Sequence, residues 1–394
     1  MSGGVGPGGG PEMNTGAAAS SAGGPVAVPR RVVIAPDSFK GTASAADAAA
    51  ALARGWRTVH PGDELLLRPM ADGGEGTLDA FAAAVPGSER VPVTVHGPDG
   101  RPADAAWLRL PDGTAVVELA LTSGITMLDP LRPLDAHTLG FGEAIAAALD
   151  GGATRLLLAL GGSASTDGGV GALAALGGSF LDAANRPVKL GNRGLGTVAR
   201  VDLSGLRPLP AGGALVLSDV TNPLLGELGA AAVFGPQKGA DAATVEVLDA
   251  NLARLVRLVP GGHSLARAPG AGAAGGTGFG LLAWGARMAG GSAAVADAIG
   301  LDAALDDADL VITGEGRFDG QSAAGKVPSE VLARAAKTGA RPLLVAGVIA
   351  ADAAAAGFVA SVSLAGLAGG SDAAMAQTRH WLEAAGAELA RATG

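Results

Sequence analysis

Charged side chains fall repeatedly in short polar clusters that directly follow apolar, β-type runs. Asp37-Ser38-Phe39-Lys40 follows RVVIAP, and Asp72-Gly73-Gly74-Glu75 follows ELLLRPM. Ser163 to Asp167 follow Leu160, Asp219 and Asn222 close ALVLSDV, and Glu315, Arg317 and Asp319 follow Thr313. In parallel α/β sheets, ligands bind outside the carboxyl ends of the strands. Closing a loop there takes only a turn residue or two, so five such clusters exceed that need, although each Asp taken alone also reads as a helix cap. Carboxylates gathered with lysine and arginine suit proton transfer, cation binding and capture of an anionic substrate.

The glycine-rich loop GGSASTDGGVG (161–171) carries the most information. A glycine turn that leaves a strand and enters a helix aims backbone N–H groups and a helix N-terminus at one point, which suits phosphate oxygens. Gly161, Gly162, Gly168 and Gly169 supply the amides, and Ser163, Ser165 and Thr166 add hydroxyls. Asp167 inside such a cradle repels phosphate unless a cation intervenes, which suggests Mg²⁺. Gly320-x-x-x-x-Gly325-Lys326 nearly spells a Walker P-loop, but Val327 stands where Ser or Thr must hold Mg²⁺, and the preceding strand is expected to end at about Thr313. GAGAAGGTG (270–278) contains G-x-G-x-x-G without a preceding strand, so the Rossmann context fails and a glycine loop remains. Lys238 lies in the turn FGPQKGA, where a lone lysine ordinarily faces solvent. The five histidines are never paired at i, i+4, and G-x-S-x-G does not occur, so neither a zincin site nor a nucleophile elbow is supported.

The elements that must position these loops read in two rhythms. RVVIAP (31–36), a capping box Ser44–Asp47 opening a helix to Trp56, ELLLRPM (64–70) and a helix from Leu78 alternate as strand and helix, predicting parallel pairing. From Val91, short strands separated by PDG turns at 98–100 and 111–113 have antiparallel character. A helix around 142–149, strands at 155–160 and 214–220, and an amphipathic helix over 241–258 follow. After Gly285 the alternation returns with ADLVITG (308–314), PLLVAGV (342–348) and FVASVSLAG (358–366). The fold class expected is α/β in two domains. A doubly wound parallel sheet built from both ends of the chain is assigned to 30–76 plus 285–394, and a mixed α/β domain over 77–284 is inserted in it.

Composition bounds the function. The 394 residues carry 28 Lys+Arg and 37 Asp+Glu, a net charge of −9 that argues against a nucleic-acid partner. Cysteine and tyrosine are absent, which excludes disulfides, thiol nucleophiles, thiolate metal sites and phenolic acids. Residues 1–29, rich in Gly, Ala, Ser and Pro, are expected to be a disordered leader and lack the features of a signal peptide. The stretch 343–370 carries one charge, Asp352, but glycines divide it into strand- or turn-length pieces, so a buried strand–helix–strand is expected rather than a membrane span. A soluble, cytoplasmic enzyme handling a phosphorylated ligand with a divalent cation is the reading these residues support.

The motifs APDSFKGTASA, PMADGGEGT, LGGSASTDGG, SDVTNPLLG with AAVFGPQKGA, GAGAAGGTG and ITGEGRFDGQSAAGKVP together resemble the bacterial type I glycerate kinase family, in the family's order and over roughly 31–330. Thr166 stands where Asn is usual and Leu139 where Tyr is usual, and the likeness thins after Pro342. The resemblance implies ATP-dependent, Mg²⁺-assisted phosphorylation of D-glycerate, usually at the 2-hydroxyl, on two α/β domains, one of them flavodoxin-like and discontinuous. On that footing the 161–169 loop and Lys238 are expected at the ATP phosphates, and Asp167 or Asp219 at Mg²⁺. Lys40 and Arg317 are expected at the glycerate carboxylate, Asp72 as general base with Asp37 or Asp319 as rivals, and Glu315 orienting hydroxyls. The oligomeric state, monomer or homodimer, stays open. A Mg²⁺-dependent phosphatase acting on a phosphorylated hydroxy acid and a flavin-binding electron carrier are the rival readings.

Overall fold

A computed structural model describes residues 1–6, 8, 29–319, 326–350 and 357–393. The expected leader falls mainly on 9–28, outside the described residues, as do Gly320 to Gly325 of the P-loop-like segment.

Two sheets organise the chain. The first runs β13 (Ala360–Ser363), β12 (Arg341–Ile349), β11 (Leu310–Phe318), β1 (Arg31–Pro36), β2 (Glu64–Leu67), all parallel. Read from its β2 edge, and counting its own strands in chain order, this is the flavodoxin-like arrangement. The order reverses between β1 and β11, where Val32 to Pro36 pair with Leu310 to Gly314. The second sheet runs β10 (Arg287–Ala289), β9 (Ala214–Leu217), β6 (Arg155–Ala159), β5 (Thr114–Glu118), β4 (Pro102–Arg109), β3 (Glu89–His96). Its β3–β4–β5 portion is antiparallel, as the PDG turns require, whereas β5, β6, β9 and β10 are parallel. A small antiparallel pair, β7 (Ser179–Leu181) with β8 (Arg200–Asp202), stands apart. Thus the chain's two ends build one flavodoxin-like sheet, and the segment between them builds a mixed one. β10 pairs with β9 although 285–394 is assigned by sequence to the first unit, so the chain re-enters the first sheet after Ala289.

The β1 run is apolar throughout because both faces of its sheet are covered. Val32 and Ile34 pack with Trp56, Leu52 and Leu389 from the helices Ala45–Val59 and Thr378–Ala392. Val33 and Ala35 face the opposite way, into a core shared with Leu108, Val116, Leu157 and Leu217 of the second sheet. Helices Thr77–Ala84, Gly291–Ala298 and Val327–Thr338 contribute to that shared layer. The second sheet's far face builds the largest core with Phe141, Phe279 and Leu252. Ser44 caps the first helix as expected, its side chain accepting from Asp47 N at 3.1 Å. Arg334, buried on Val327–Thr338, is held by Glu330, Asp297 and Asp302 and ties that helix to the 291–305 region.

Three boundaries differ from expectation. β11 continues to Phe318, so Glu315 and Arg317 lie on the strand rather than after it, which removes the early strand end as an objection to a phosphate loop. Gly347, expected as a break, sits within the β11–β12 ladder, where a Cβ on it would lie 2.4 Å from Gly316 O, as one on Gly314 would lie 2.0 Å from Val345 O. The ladder requires glycine for close backbone approach. The expected strand 358–366 is shorter, because Ser363 caps a helical turn over Leu364–Ala368. No helix among the described residues is long and apolar enough to cross a membrane.

Candidate active site

The carboxyl ends of the first sheet's strands carry one charged group of side chains. Asp37 closes β1 at the β1/β11 switch point, its N–H donating to Gly314 O at 2.8 Å, and its carboxylate accepts from Ser38 N at 2.6 Å. The side chain is 8% exposed; burial, reinforced by the nearby charge of Asp72, pushes its carboxyl up to about 7. A tight turn, with Ala43 N donating to Phe39 O (3.0 Å) and Thr42 Oγ1 to the same oxygen (2.8 Å), presents Lys40 outward. Lys40 Nζ lies 3.6 Å from Asp72 Oδ2, and Asp72 and Asp37 raise the lysine's pKa. Asp72 Oδ1 accepts from Gly74 N at 2.8 Å, fixing the loop that leads into the second unit. Alternate residues of a strand share a face, so Glu315 and Arg317 of β11 both reach this group. Lys326 Nζ is 4.0 Å from Glu315 Oε2, and Arg317 Nε is 3.4 Å from Asp319 Oδ2.

The second sheet presents the glycine loop. Gly161 N donates to Gly73 O at 2.9 Å, and a Cβ on Gly161 would lie 2.3 Å from Gly74 Cα, so the Asp72 and 161–169 loops touch directly. Lys238, 2% exposed, donates to Ser163 Oγ at 2.8 Å and to Ser165 O, and burial pushes its ammonium down to about 7. It is thus no surface lysine. Asp167 is fully buried and accepts from four donors, Thr138 N, Thr138 Oγ1, Gly169 N and Gly171 N, at 2.9–3.2 Å. With both oxygens occupied by its own chain, it holds the loop's shape and does not fit a metal ligand, in contrast to the expectation. Ser165 and Thr166 are also fully buried, beneath the loop surface. The 270–278 segment packs on this loop, Gly168 N donating to Gly275 O at 3.1 Å and a Gly275 Cβ falling 2.0 Å from Ser165 O. Its glycines therefore serve close packing rather than an independent anion site.

Asp219 fits a cation better. Its Oδ1 accepts from Gly291 N at 2.7 Å, at the start of the helix Gly291–Ala298, while Oδ2 is buried with no hydrogen-bond partner. Burial, with Asp72 adding to it, raises its carboxyl to about 6. An orphaned buried carboxylate oxygen is costly unless something positive meets it. No cluster of three or more His, Cys, Asp or Glu able to hold a metal occurs among the described residues, so any cation here must complete its shell from water or ligand oxygens.

These groups line three adjoining cavities. The charged cavity, of about 340 Å³, is lined by Asp37, Lys40, Asp72, Glu315, Arg317 and Lys326, with apolar residues including Leu364 and Met375 behind them. A central cavity of about 720 Å³ is lined by Lys40, Asp72, Gly161, Gly162, Asp219 and Lys326. A third, of about 320 Å³, is bounded by Gly161, Gly162, Ser163 and Lys238. Lys40, Asp72 and Lys326 border the first two; Gly161 and Gly162 border the last two. Of the expected residues, Lys40, Asp72, Asp219 and Arg317 therefore meet along one continuous groove, and Asp167 lies beneath its wall.

Two participants escaped the sequence pattern. Glu118, 1% exposed at the end of β5, accepts from Gly76 N (2.9 Å) and Leu78 N (2.8 Å), capping the helix that follows the Asp72 loop; burial raises it to about 7. It is a sixth acidic strand end, hidden because its neighbourhood reads as antiparallel while β5 itself pairs parallel with β6. Asn192, in GNRGLG, donates to Thr166 O at 2.8 Å and so braces the glycine loop from outside.

The raised Asp37 carboxyl has a stability consequence with a defined sign. Its pKa is higher folded than unfolded, so the folded state binds more protons between about pH 4 and 7, and stability falls as pH rises through that window. Asp37→Asn is expected to raise Tm by several degrees at pH 8 and by little at pH 4, measured by thermal unfolding at both. An equal shift at both pH values would show that the buried charge is not the cause.

Residues 32–394 match the model of the "Glycerate kinase family". The chain belongs to the glycerate kinase family. It is 44% identical over 330 residues to "Glycerate kinase" of Bacillus subtilis (strain 168), covering 82% of this chain and 86% of that one. "Glycerate 2-kinase" of Escherichia coli (strain K12) is 42% identical with the same coverage. A crystal structure of "putative glycerate kinase 2" from Salmonella typhimurium LT2 superposes with a TM-score of 0.80 at 38% identity, covering 93% of this chain and 98% of that one. As a family member the chain is a kinase, which decides against the phosphatase and the electron carrier.

Proposed function

We propose that the protein is an ATP-dependent D-glycerate kinase that forms 2-phospho-D-glycerate. The observation that carries this reading is the position of Asp72, which borders both the charged cavity and the central cavity, with Lys40 beside it. An acceptor held in the charged cavity and a phosphate chain entering from the glycine loop meet at that carboxylate. Phosphoryl transfer asks for positioning and charge neutralisation more than covalent help. Arg317 offers the glycerate carboxylate a bidentate partner and Lys40 a second positive charge. Glu315, buried on the same strand face, orients the hydroxyls. Asp72 takes the proton of the 2-hydroxyl as its oxygen bonds to the γ-phosphorus and the bond to the leaving ADP oxygen breaks. Asp37, buried behind it, is the rival base. The Gly162 amide and the Lys238 ammonium face the phosphate chain, while Gly161 N, Gly168 N and Gly169 N are spent on Gly73 O, Gly275 O and Asp167 Oδ1 and hold the loop's shape. Mg²⁺ would be held by Asp219 and phosphate oxygens, and when bound it supplies neutralisation of the phosphate charge.

The test is ADP release followed across a panel of small hydroxy acids, with the product read by ³¹P NMR. Release that depends on D-glycerate and a doublet from phosphorus coupled to one C2 proton support the reading; a triplet from a C3-linked phosphate would reassign the acceptor hydroxyl. We also propose that 30–76 with the C-terminal portion after β10, and the segment between them, are the two domains.

A further inference from the structure

Resting on that kinase reading, we propose that the third cavity is the purine subsite, with the base laid against Phe234 and its edge met by Gln237. The cavity, about 320 Å³, has walls from Ile125, Leu160, Val220 and Phe234 and polar groups from Gln237 and Lys238. Small-molecule sites take this form, mostly apolar with a few convergent polar groups. Aromatic side chains make up only 3% of the chain and tyrosine is absent, yet the half-buried Phe234 borders this cavity. Gln237 is exposed beside it, and a side-chain amide carries both a donor and an acceptor, the pair a purine edge needs. Lys238 is the cavity's one charged residue and spends two of its three N–H groups on Ser163 Oγ and Ser165 O.

Connectivity gives the direction. Gly161, Gly162, Ser218 and Val220 border both this cavity and the central one, which holds Asp219 and Asp72. A nucleotide whose base sits at Phe234 therefore runs its phosphates past Gly161 and Gly162 toward Asp219, and the γ-phosphate ends beside Asp72. The acceptor then approaches from the opposite side, through the charged cavity.

Steady-state kinetics with ATP and GTP, on the wild type, Phe234→Ala, Phe234→Leu and Gln237→Ala, test this. Phe234→Ala is expected to raise the KM for ATP about 5- to 150-fold, the range that base–aromatic stacking spans. The KM for D-glycerate should stay within about twofold, an affinity change of under half a kcal/mol. Phe234→Leu keeps an apolar side chain without the ring and should show the same direction, which keeps the test open if the alanine variant unfolds. Gln237→Ala is expected to narrow the preference for ATP over GTP. An unchanged KM for ATP in both Phe234 variants, or a rise confined to the KM for D-glycerate, overturns the subsite. So does a KM for ATP that responds to Met375→Ala in the charged cavity instead. A wild type that releases no ADP with D-glycerate defeats the kinase reading itself, a result distinct from these.

Discussion

Asp72→Asn is expected to lower the turnover number for D-glycerate by about 10²- to 10⁴-fold at saturating ATP, the range that a positioned general base contributes. The substitution is nearly isosteric, and its amide oxygen can still accept from Gly74 N as Asp72 Oδ1 does at 2.8 Å. The loop should therefore keep its shape and Tm change little. What is lost is the proton acceptor and the negative partner of Lys40, 3.6 Å away. KM for D-glycerate should move far less than turnover, because its carboxylate is assigned to Arg317 and Lys40. A loss below about tenfold removes Asp72 from the role. Asp37, 8% exposed and raised to about 7, then becomes the base.

Lys238→Met is expected to lower kcat/KM for ATP by about 10²- to 10³-fold, the loss typical of removing one preorganised charge-stabilising group from a water-excluded site. Methionine has similar length and fills irregular apolar space well. Ser163 Oγ and Ser165 O lose their donor, which costs stability, but a buried ammonium that burial has pushed down to about 7 is removed as well. The two effects oppose each other, so Tm should stay within a few degrees while the kinetics collapse. An unchanged kcat/KM for ATP, with Tm lowered by ten degrees or more, would mean that Lys238 only props the loop.

Much of this was legible in the residues. The β1 run and its return partners read as a parallel sheet because continuous apolar strands are what two covered faces demand. The PDG turns announced the antiparallel β3–β4–β5 portion, and the Ser44–Asp47 capping box fixed a helix start. The polar strand ends led to the groove because parallel strands place their carboxyl ends on one side. What stayed hidden depends on distant partners. Gly347 looks like a break until Gly316 O of the opposing strand occupies the space a Cβ would need. Asp167 looks like a metal ligand until Thr138, twenty-nine residues away, supplies two of its donors. Lys238 looks solvated until the 161–169 loop closes over it. Glu118 was masked by the mixed character of its sheet, since spacing alone does not say which neighbour a strand will pair with in parallel.

The most direct measurement is a crystal structure with D-glycerate and a non-hydrolysable ATP analogue bound together. The expected result has the phosphates against Gly162 of the 161–169 loop and Lys238, the glycerate carboxylate at Arg317 and Lys40, and the 2-hydroxyl oxygen about 3–3.5 Å from the γ-phosphorus beside Asp72. Glycerate and nucleotide lodged in places that do not meet at Asp72 would contradict it.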